Sequence, residues 1–248
     1  MKNTLKWITV LIFVHSSTFI MSQNQFKLLL FTQEDEWHSD CIPVAIETFQ
    51  KMSIKHQFHF DWTLQPEELA EKLYAYDVLV FLNANVDSFD SIQIQALKSF
   101  INNDGGFVGI HACSYRKKNK PWFDGLIGGV FSNHPKLQTA IVKVEEKDFP
   151  AVMHLSNKWL WSDEWYNFRN LKDDIRVVLS VDENSYNFTA GYDNISLKGM
   201  GANHPISWYH HYDGGRVFYT SLGHKPEAFK NDLFLNHIFG GIYWALGK

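Results

Sequence analysis

Residues 105–114 read GGFVGIHACS. Polar Asn102-Asn103-Asp104 stops a preceding helix, and two glycines turn the chain. Phe107, Val108 and Ile110 then form a short uncharged apolar run, the pattern of a strand buried on both faces. Gly109 has no side chain, so another backbone or a ligand can come close there. His111 follows at the strand's carboxyl end, which in an open α/β sheet is where ligands sit. The stretch predicts a central strand and puts His111 first among the functional candidates.

Working outward, residues 26–32 (FKLLLFT), 56–62 (HQFHFDW) and 77–82 (DVLVFL) read as strands. Residues 42–52, 65–74 and 87–102 read as helices; Pro43 and Pro66 sit in first turns, and Ser39 or Asp40 can cap the first helix. Residues 26–111 thus alternate β-α-β-α-β-α-β. That order predicts an α/β fold with a mostly parallel central sheet and helices on both faces. Further on, 121–129 reads as a short helix or turn. Residues 137–144 and 175–181 read as strands joined by a connection holding LWSDEWYNF. Residues 185–198 read as a polar loop or irregular hairpin, 205–209 and 216–221 as a hairpin turned at Asp213-Gly214-Gly215, and 231–246 as a closing helix. No repeat or linker divides residues 23–248, which read as one domain.

The chain has 248 residues, 45% hydrophobic and 20% charged, which excludes a disordered or collagen-like polymer. Residues 1–22 read as a secretory signal, with an uncleaved anchor as the alternative. Lys2 and Lys6 precede a mostly apolar run shorter than the ~20 residues of a membrane span, and Ser22 before Gln23 offers a cleavage point. The expected location is secreted or periplasmic, with no stable membrane insertion after cleavage. Cleavage leaves 21 basic side chains against 27 acidic ones, so no nucleic-acid partner is expected. The first strand is followed by acidic QEDEWH rather than GxGxxG, so no nucleotide cofactor is expected either. Cys41 and Cys113 leave a disulfide and two buried thiols both open, with thiols favoured.

Four stretches set histidine or acid beside aromatic residues: 36–40 (EWHSD), 109–114 (GIHACS), 162–168 (SDEWYNF) and 201–227. His38 follows the first strand, His111 the fourth, and His224 the apolar run 217–222, so a meeting at one sheet edge is expected. Neutral imidazoles and a carboxylate are the usual ligands of zinc or a similar divalent ion, and His38, His111, Glu164 and His224 could supply such a set. The same types can move a proton beside a sugar carbonyl without a metal, which makes His111 and Glu164 catalytic candidates. Asp163 and Glu164 could instead cap a helix or face water. Trp37, Trp165 and Tyr166 are sugar platforms or packing under the loops. His134 and His204 precede prolines, which fixes an extended backbone and leaves a structural role open. Alternation points His210 and His211 to opposite faces, so at most one reaches the site.

The chain resembles the ThuA-like (trehalose utilisation) proteins, whose fold is similar to class I glutamine amidotransferases, a flavodoxin-like three-layer plan. The resemblance runs from Phe26 to Gly247. It rests on 37–43 (WHSDCIP), 105–114, 122–135 (WFDGLIGGVFSNHP), 163–168 (DEWYNF), 199–224 (GMGANHPISWYHHYDGGRVFYTSLGH) and 234–247 (FLNHIFGGIYWALG). In the amidotransferases a cysteine nucleophile sits on a sharp turn after the strand matching 107–110. Here Cys113 falls off that position, so glutamine hydrolysis is not expected.

The resemblance implies carbohydrate catabolism with 3-keto-glycosides as a substrate class. It adds His210 to the catalytic candidates, and Asp163 and His204 join Trp37, Trp165 and Tyr166 as a sugar-binding set. The expected partner is a small-molecule carbohydrate. A non-catalytic sugar-binding protein using the same cleft is the alternative, and a thiol enzyme using Cys113 a weaker one. N-terminal sequencing of the exported protein is expected to begin at Gln23; a mature chain retaining residues 1–22 refutes the signal reading.

Overall fold

The computed structural model describes residues 24–192 and 195–247; the signal segment expected at 1–22 lies outside the described residues. Strands β1 (Lys27–Thr32), β2 (His59–Thr63), β3 (Val78–Leu82) and β4 (Gly106–Ile110) alternate with helices α1 (Cys41–His56), α2 (Pro66–Lys72) and α3 (Ser91–Asn102). The expected alternation is present, with ends shifted by a few residues. Helix α3 starts at a reciprocal cap: Asp90 accepts from the Gln93 backbone N–H, and the Gln93 side chain accepts from the Asp90 backbone. Helix α1 has no side-chain cap. Ser39 instead accepts from the Asp35 N–H at 2.9 Å and donates to the Asp35 carbonyl, closing the loop after β1.

After a 3-10 turn at His111–Ser114 come α4 (Pro121–Ile127), β5 (Val130–Asn133), β6 (Gln138–Val144), β7 (Lys158–Asp163), β8 (Asn167–Arg169), β9 (Arg176–Val181), β10 (Pro205–Tyr212), β11 (Gly215–Thr220) and α5 (Asp232–Ala245). Nine strands form one sheet in the order β2-β1-β3-β4-β11-β10-β9-β6-β7, and β5 pairs with β8 apart from it. Strands β2, β1, β3, β4 and β11 are parallel. Strand β10 opposes β11, β9 opposes β10, β6 opposes β9 and β7 opposes β6, so only β10 and β6 run against the common direction. Alternate residues of β1 enter two cores. Leu28 and Leu30 pack in the core that holds α1 and α5, and Leu29 and Phe31 in the core that holds α2, α3 and α4. Among the described residues no helix is long and apolar enough to cross a membrane.

The expected connection holding LWSDEWYNF contains two further strands, β7 and β8. Edge strand β7 mixes buried Trp159 with exposed Leu160, so its apolar residues do not alternate with polar ones. Strand β8 has three residues and β5 four, too few to show a period.

His237 of α5 is fully buried. Its Nδ1 donates to the Ala151 carbonyl at 2.8 Å, and its Nε2 lies 3.2 Å from the Thr220 hydroxyl. Burial pushes its pKa down to about 4, against a smaller upward pull from the Ala151 carbonyl. The unfolded chain takes up this proton near pH 6.5 and the folded chain does not, so stability falls as pH drops from about 6.5 towards 4. Urea midpoints measured across this range are expected to decline with acidification. His237→Gln flattens the slope by up to about 1.4 kcal/mol per pH unit.

Candidate metal centre

Four side chains meet beyond the carboxyl ends of β1, β4, β7 and β11. His38 lies in the loop after β1, His111 and Glu164 directly follow β4 and β7, and His224 lies four residues past β11. All four are buried, and one ligand atom from each lies within 4.8 Å of the others.

His111 occupies the sharp turn after β4 with φ +55, a left-handed conformation uncommon outside glycine. The turn is braced on each side. Tyr219 donates its hydroxyl to the His111 carbonyl at 2.8 Å, and His111 Nδ1 donates to the Ser221 carbonyl at 2.6 Å. A Cβ at Gly109 would sit 3.0 Å from the Tyr219 ring and 3.1 Å from Cys113 Sγ. The group that approaches Gly109 is therefore a pair of side chains, not the backbone or ligand expected from sequence.

Strand β7 is four places from β11, about 19 Å in a flat sheet. Yet Asp163 at its end accepts from the Gly223 N–H at 2.9 Å and the His224 N–H at 3.3 Å. The antiparallel half must curl over the strand ends. Asp163 also accepts from the Glu164 N–H and from Trp161 Nε1, each at 2.9 Å. Burial raises its pKa; the charge of His111 and these N–H groups pull the other way. Gly223 takes φ +112 in the clamped loop.

His111 Nε2 lies 3.2 Å from His224 Nδ1 and 3.6 Å from Glu164 Oε2, and His224 Nδ1 is 3.3 Å from that oxygen. Metal–ligand bonds of about 2.0–2.1 Å on a tetrahedral zinc ion give ligand–ligand edges of about 3.3 Å. Each of two imidazoles spends its other nitrogen on an acceptor: His111 on Ser221, and His38 Nδ1 on Asp35 at 2.7 Å. That leaves His111 Nε2 and His38 Nε2 for an ion, with the outer partners that ligating histidines require. Burial opposes the charge of Glu164, but hydrogen bonding to His111 and the charges of His111, His134 and His224 hold its pKa at about 2. Burial, then His111, pushes His224 to about 3, and the same two causes lower His38 against Asp35. Neutral imidazoles with an ionised carboxylate are the state a divalent ion takes up. The donor set fits zinc or a similar ion.

The remaining candidates divide. Tyr166 is buried with its hydroxyl 2.9 Å from His111 Nε2. Trp37 is 70% exposed beside His38. Trp165 is fully buried and donates Nε1 to the Gln138 carbonyl at 3.0 Å, so it packs under the site and presents no face to a sugar. His204 is buried with Nδ1 2.8 Å from Glu183 and Nε2 donating to the Tyr166 carbonyl at 2.9 Å, a brace for Tyr166 with no edge left for substrate. Asp163 spends its oxygens on N–H groups in the same way.

His210 does not join the cluster. It pairs with Val217, level with Phe107, four residues or about 13 Å short of His111, and its Nε2 donates to the Leu126 carbonyl at 2.9 Å. His134, whose following proline leaves a structural role open, brings Nε2 to 3.6 Å from Glu164 Oε2, and Asp35, absent from the expected set, holds His38 Nδ1. Sequence signals existed for both, in NHP at 133–135 and in the acidic loop before His38. Cys41 and Cys113 are both buried free thiols. Cys41 bonds the His224 carbonyl at 2.8 Å, and burial pushes its pKa to about 12 and that of Cys113 well up, which argues against a thiolate nucleophile.

The chain belongs to the ThuA family, described as trehalose utilisation, whose profile matches residues 27–245. It is similar to a ThuA-like protein from Bacteroides uniformis, with 27% identity and TM-score 0.74 over 88% of this chain and 91% of that one. A ThuA-like protein from Parabacteroides merdae matches at 20% identity and TM-score 0.72 over 90% and 91%. PurLQS from Thermotoga maritima matches at 12% identity and TM-score 0.51 over 89% and 97%, a likeness of fold alone. Among curated proteins none matches the chain. The fold these relatives share is a mixed α/β plan with a large, mostly parallel central sheet. Family membership supports a role in carbohydrate utilisation.

Asp163→Ala leaves four N–H donors without their acceptor. It is expected to lower unfolding stability by about 3 kcal/mol or more, read by urea denaturation, whereas a cost below about 1 kcal/mol would mean that Asp163 does not hold the curl.

Proposed function

We propose that this protein is a secreted or periplasmic enzyme of carbohydrate breakdown that cleaves 3-keto-glycosides. The observation that carries the reading is the convergence of His38, His111, Glu164 and His224, one ligand atom from each within 4.8 Å, beside exposed Trp37. A ketone at sugar carbon 3 acidifies the hydrogen on carbon 2. A zinc-like ion held by these four residues would act as a Lewis acid on that carbonyl and stabilise the enolate charge.

His134 is the base of this reading. Its Nδ1 donates to the Pro135 carbonyl at 2.9 Å, which leaves a lone pair on Nε2, and its side chain is 20% exposed at the cluster. Nε2 takes the carbon-2 proton, and the electron pair expels the glycosidic oxygen from carbon 1. Burial keeps Tyr166 protonated, so its hydroxyl is the donor to the departing oxygen. Water then adds to the enone, and the sum is hydrolysis. Trp37 offers an exposed ring on which a sugar can stack.

Purified protein mixed with 3-keto-trehalose is expected to release sugar, to lose this activity to a chelator and to regain it with zinc. His111→Ala is expected to lower kcat/KM about 1000-fold or more. No released sugar with or without divalent metal would reject the enzyme reading. Binding without turnover, weakened by His111→Ala, would make the protein a sugar binder.

A further inference from the structure

A cleft of about 600 Å³ opens beside the cluster, at the carboxyl ends of β1, β3 and β4. It shares two walls with the cluster. Asp35, which holds His38 Nδ1, lines it from the β1 loop, and Ala112, directly after His111, lines it from the turn. A molecule seated there therefore lies against the same turn and loop that orient the two histidines. The volume accommodates about twenty waters, enough for one sugar ring with ordered water around it.

The lining is polar. Glu34, Gln65, Glu67, Asn83, Asp87 and Lys117 line it, the Asp87 carboxylate accepting from the Lys117 N–H at 2.6 Å, together with the exposed Tyr115. Several of these groups have bonding capacity to spare. Among the described residues the Glu34 carboxylate, the Gln65 amide and the Lys117 ammonium make no hydrogen bond, and Glu67 uses only Oε1, which accepts from Gln93 at 3.2 Å. Asn83 adds a further donor. Its Oδ1 accepts from the Ala112 N–H at 3.3 Å, which fixes the amide's orientation, and its buried Nδ2 has no partner. Carboxylates and amides with free valences are groups that bind hydroxyls bearing both donor and acceptor. The charge count selects among such ligands. Glu34, Asp35, Glu67 and Asp87 against Lys117 disfavour a phosphate or carboxylate and favour a neutral polyol.

We infer that this cleft is a second sugar subsite, which holds the leaving sugar unit of a neutral disaccharide while the oxidised unit lies at the cluster. The inference rests on the catalytic reading above for the identity of the two units, but the cleft's affinity for a neutral sugar does not depend on turnover. It narrows the substrate class to glycosides whose leaving group is itself an uncharged sugar.

The test is calorimetry on the full chain with trehalose, a neutral disaccharide, and with trehalose 6-phosphate. Saturable trehalose binding is expected, with the phosphorylated sugar at least about tenfold weaker. The double variant Glu34→Ala, Gln65→Ala is expected to weaken trehalose at least about tenfold, while Glu71→Ala, exposed on α2 outside the cleft, leaves it unchanged. Both altered positions are exposed, so the fold is retained. Absent saturable binding, binding indifferent to the double variant, or phosphorylated sugar bound as tightly as the neutral one overturns the subsite. If trehalose binds as stated and 3-keto-trehalose is not cleaved, the catalytic reading falls and the subsite stands. Cleavage with unchanged kcat/KM in the double variant leaves the catalytic reading and removes the subsite.

Discussion

A single buried carboxylate ties the edge strand of this sheet back to its middle. Asp163 accepts hydrogen bonds from Gly223, His224, Glu164 and Trp161, and so ties the last strand in the sheet to the loop after β11. A buried carboxylate is costly unless its lone pairs are filled, and here N–H groups fill them. The same bonds fix two neighbours at once, because Glu164 is adjacent to Asp163 in the chain and His224 is one of its donors. Without this clamp Glu164 and His224 would belong to separate parts of a wide sheet.

The turn at His111 is the second constraint. A non-glycine residue in the left-handed region stores strain, which persists only where the surroundings determine the conformation. Tyr219 and Ser221 do so from β11 and the residue after it, while Gly109 gives Tyr219 and Cys113 the room they need. Asn83, itself at φ +51, accepts from Ala112 and donates its backbone N–H to the Ile110 carbonyl at 3.2 Å. The imidazole thus projects from the edge of the sheet with one nitrogen spent and the other turned to Glu164, His224 and Tyr166. The turn after the fourth strand thus carries an imidazole, and Cys113, two residues further on, is a buried free thiol.

Electrostatics and geometry agree at the cluster. Burial keeps His38 and His224 neutral, and against its own burial Glu164 is held ionised first by hydrogen bonding to His111. Several lone pairs converging on one small volume repel one another unless a proton or cation lies between them. Asp35 and the Ser221 carbonyl pre-orient two of the rings at little entropic cost, since both partners are held by backbone hydrogen bonds or strand geometry. The cluster also abuts a polar, acid-lined cleft, to which Asp35 and Ala112 contribute from the loop and turn that orient His38 and His111.

By itself the sequence determined the parallel half of the sheet and the residue types of the centre. Local periodicity carries that information: FKLLLFT, DVLVFL and GGFVGI are apolar on both faces, and helix-period segments separate them. His38 and His111 were legible as neighbours because both follow parallel strands. The rest was decided by contacts between residues far apart in the chain. Strand β7 was hidden by its mixed edge pattern, so the clamp of Asp163 on Gly223 and His224 could not be read, nor the role of His134 beside Glu164. The motif-bearing residues His210, His204 and Trp165 carry the same chemistry as the others on paper. Register along β10 and burial under the loops direct them to the Leu126 carbonyl, to Glu183 with the Tyr166 carbonyl, and to the Gln138 carbonyl. A residue type states what a side chain can do; the curl of the sheet, a long-range constraint with no local signature, decides which of them meet.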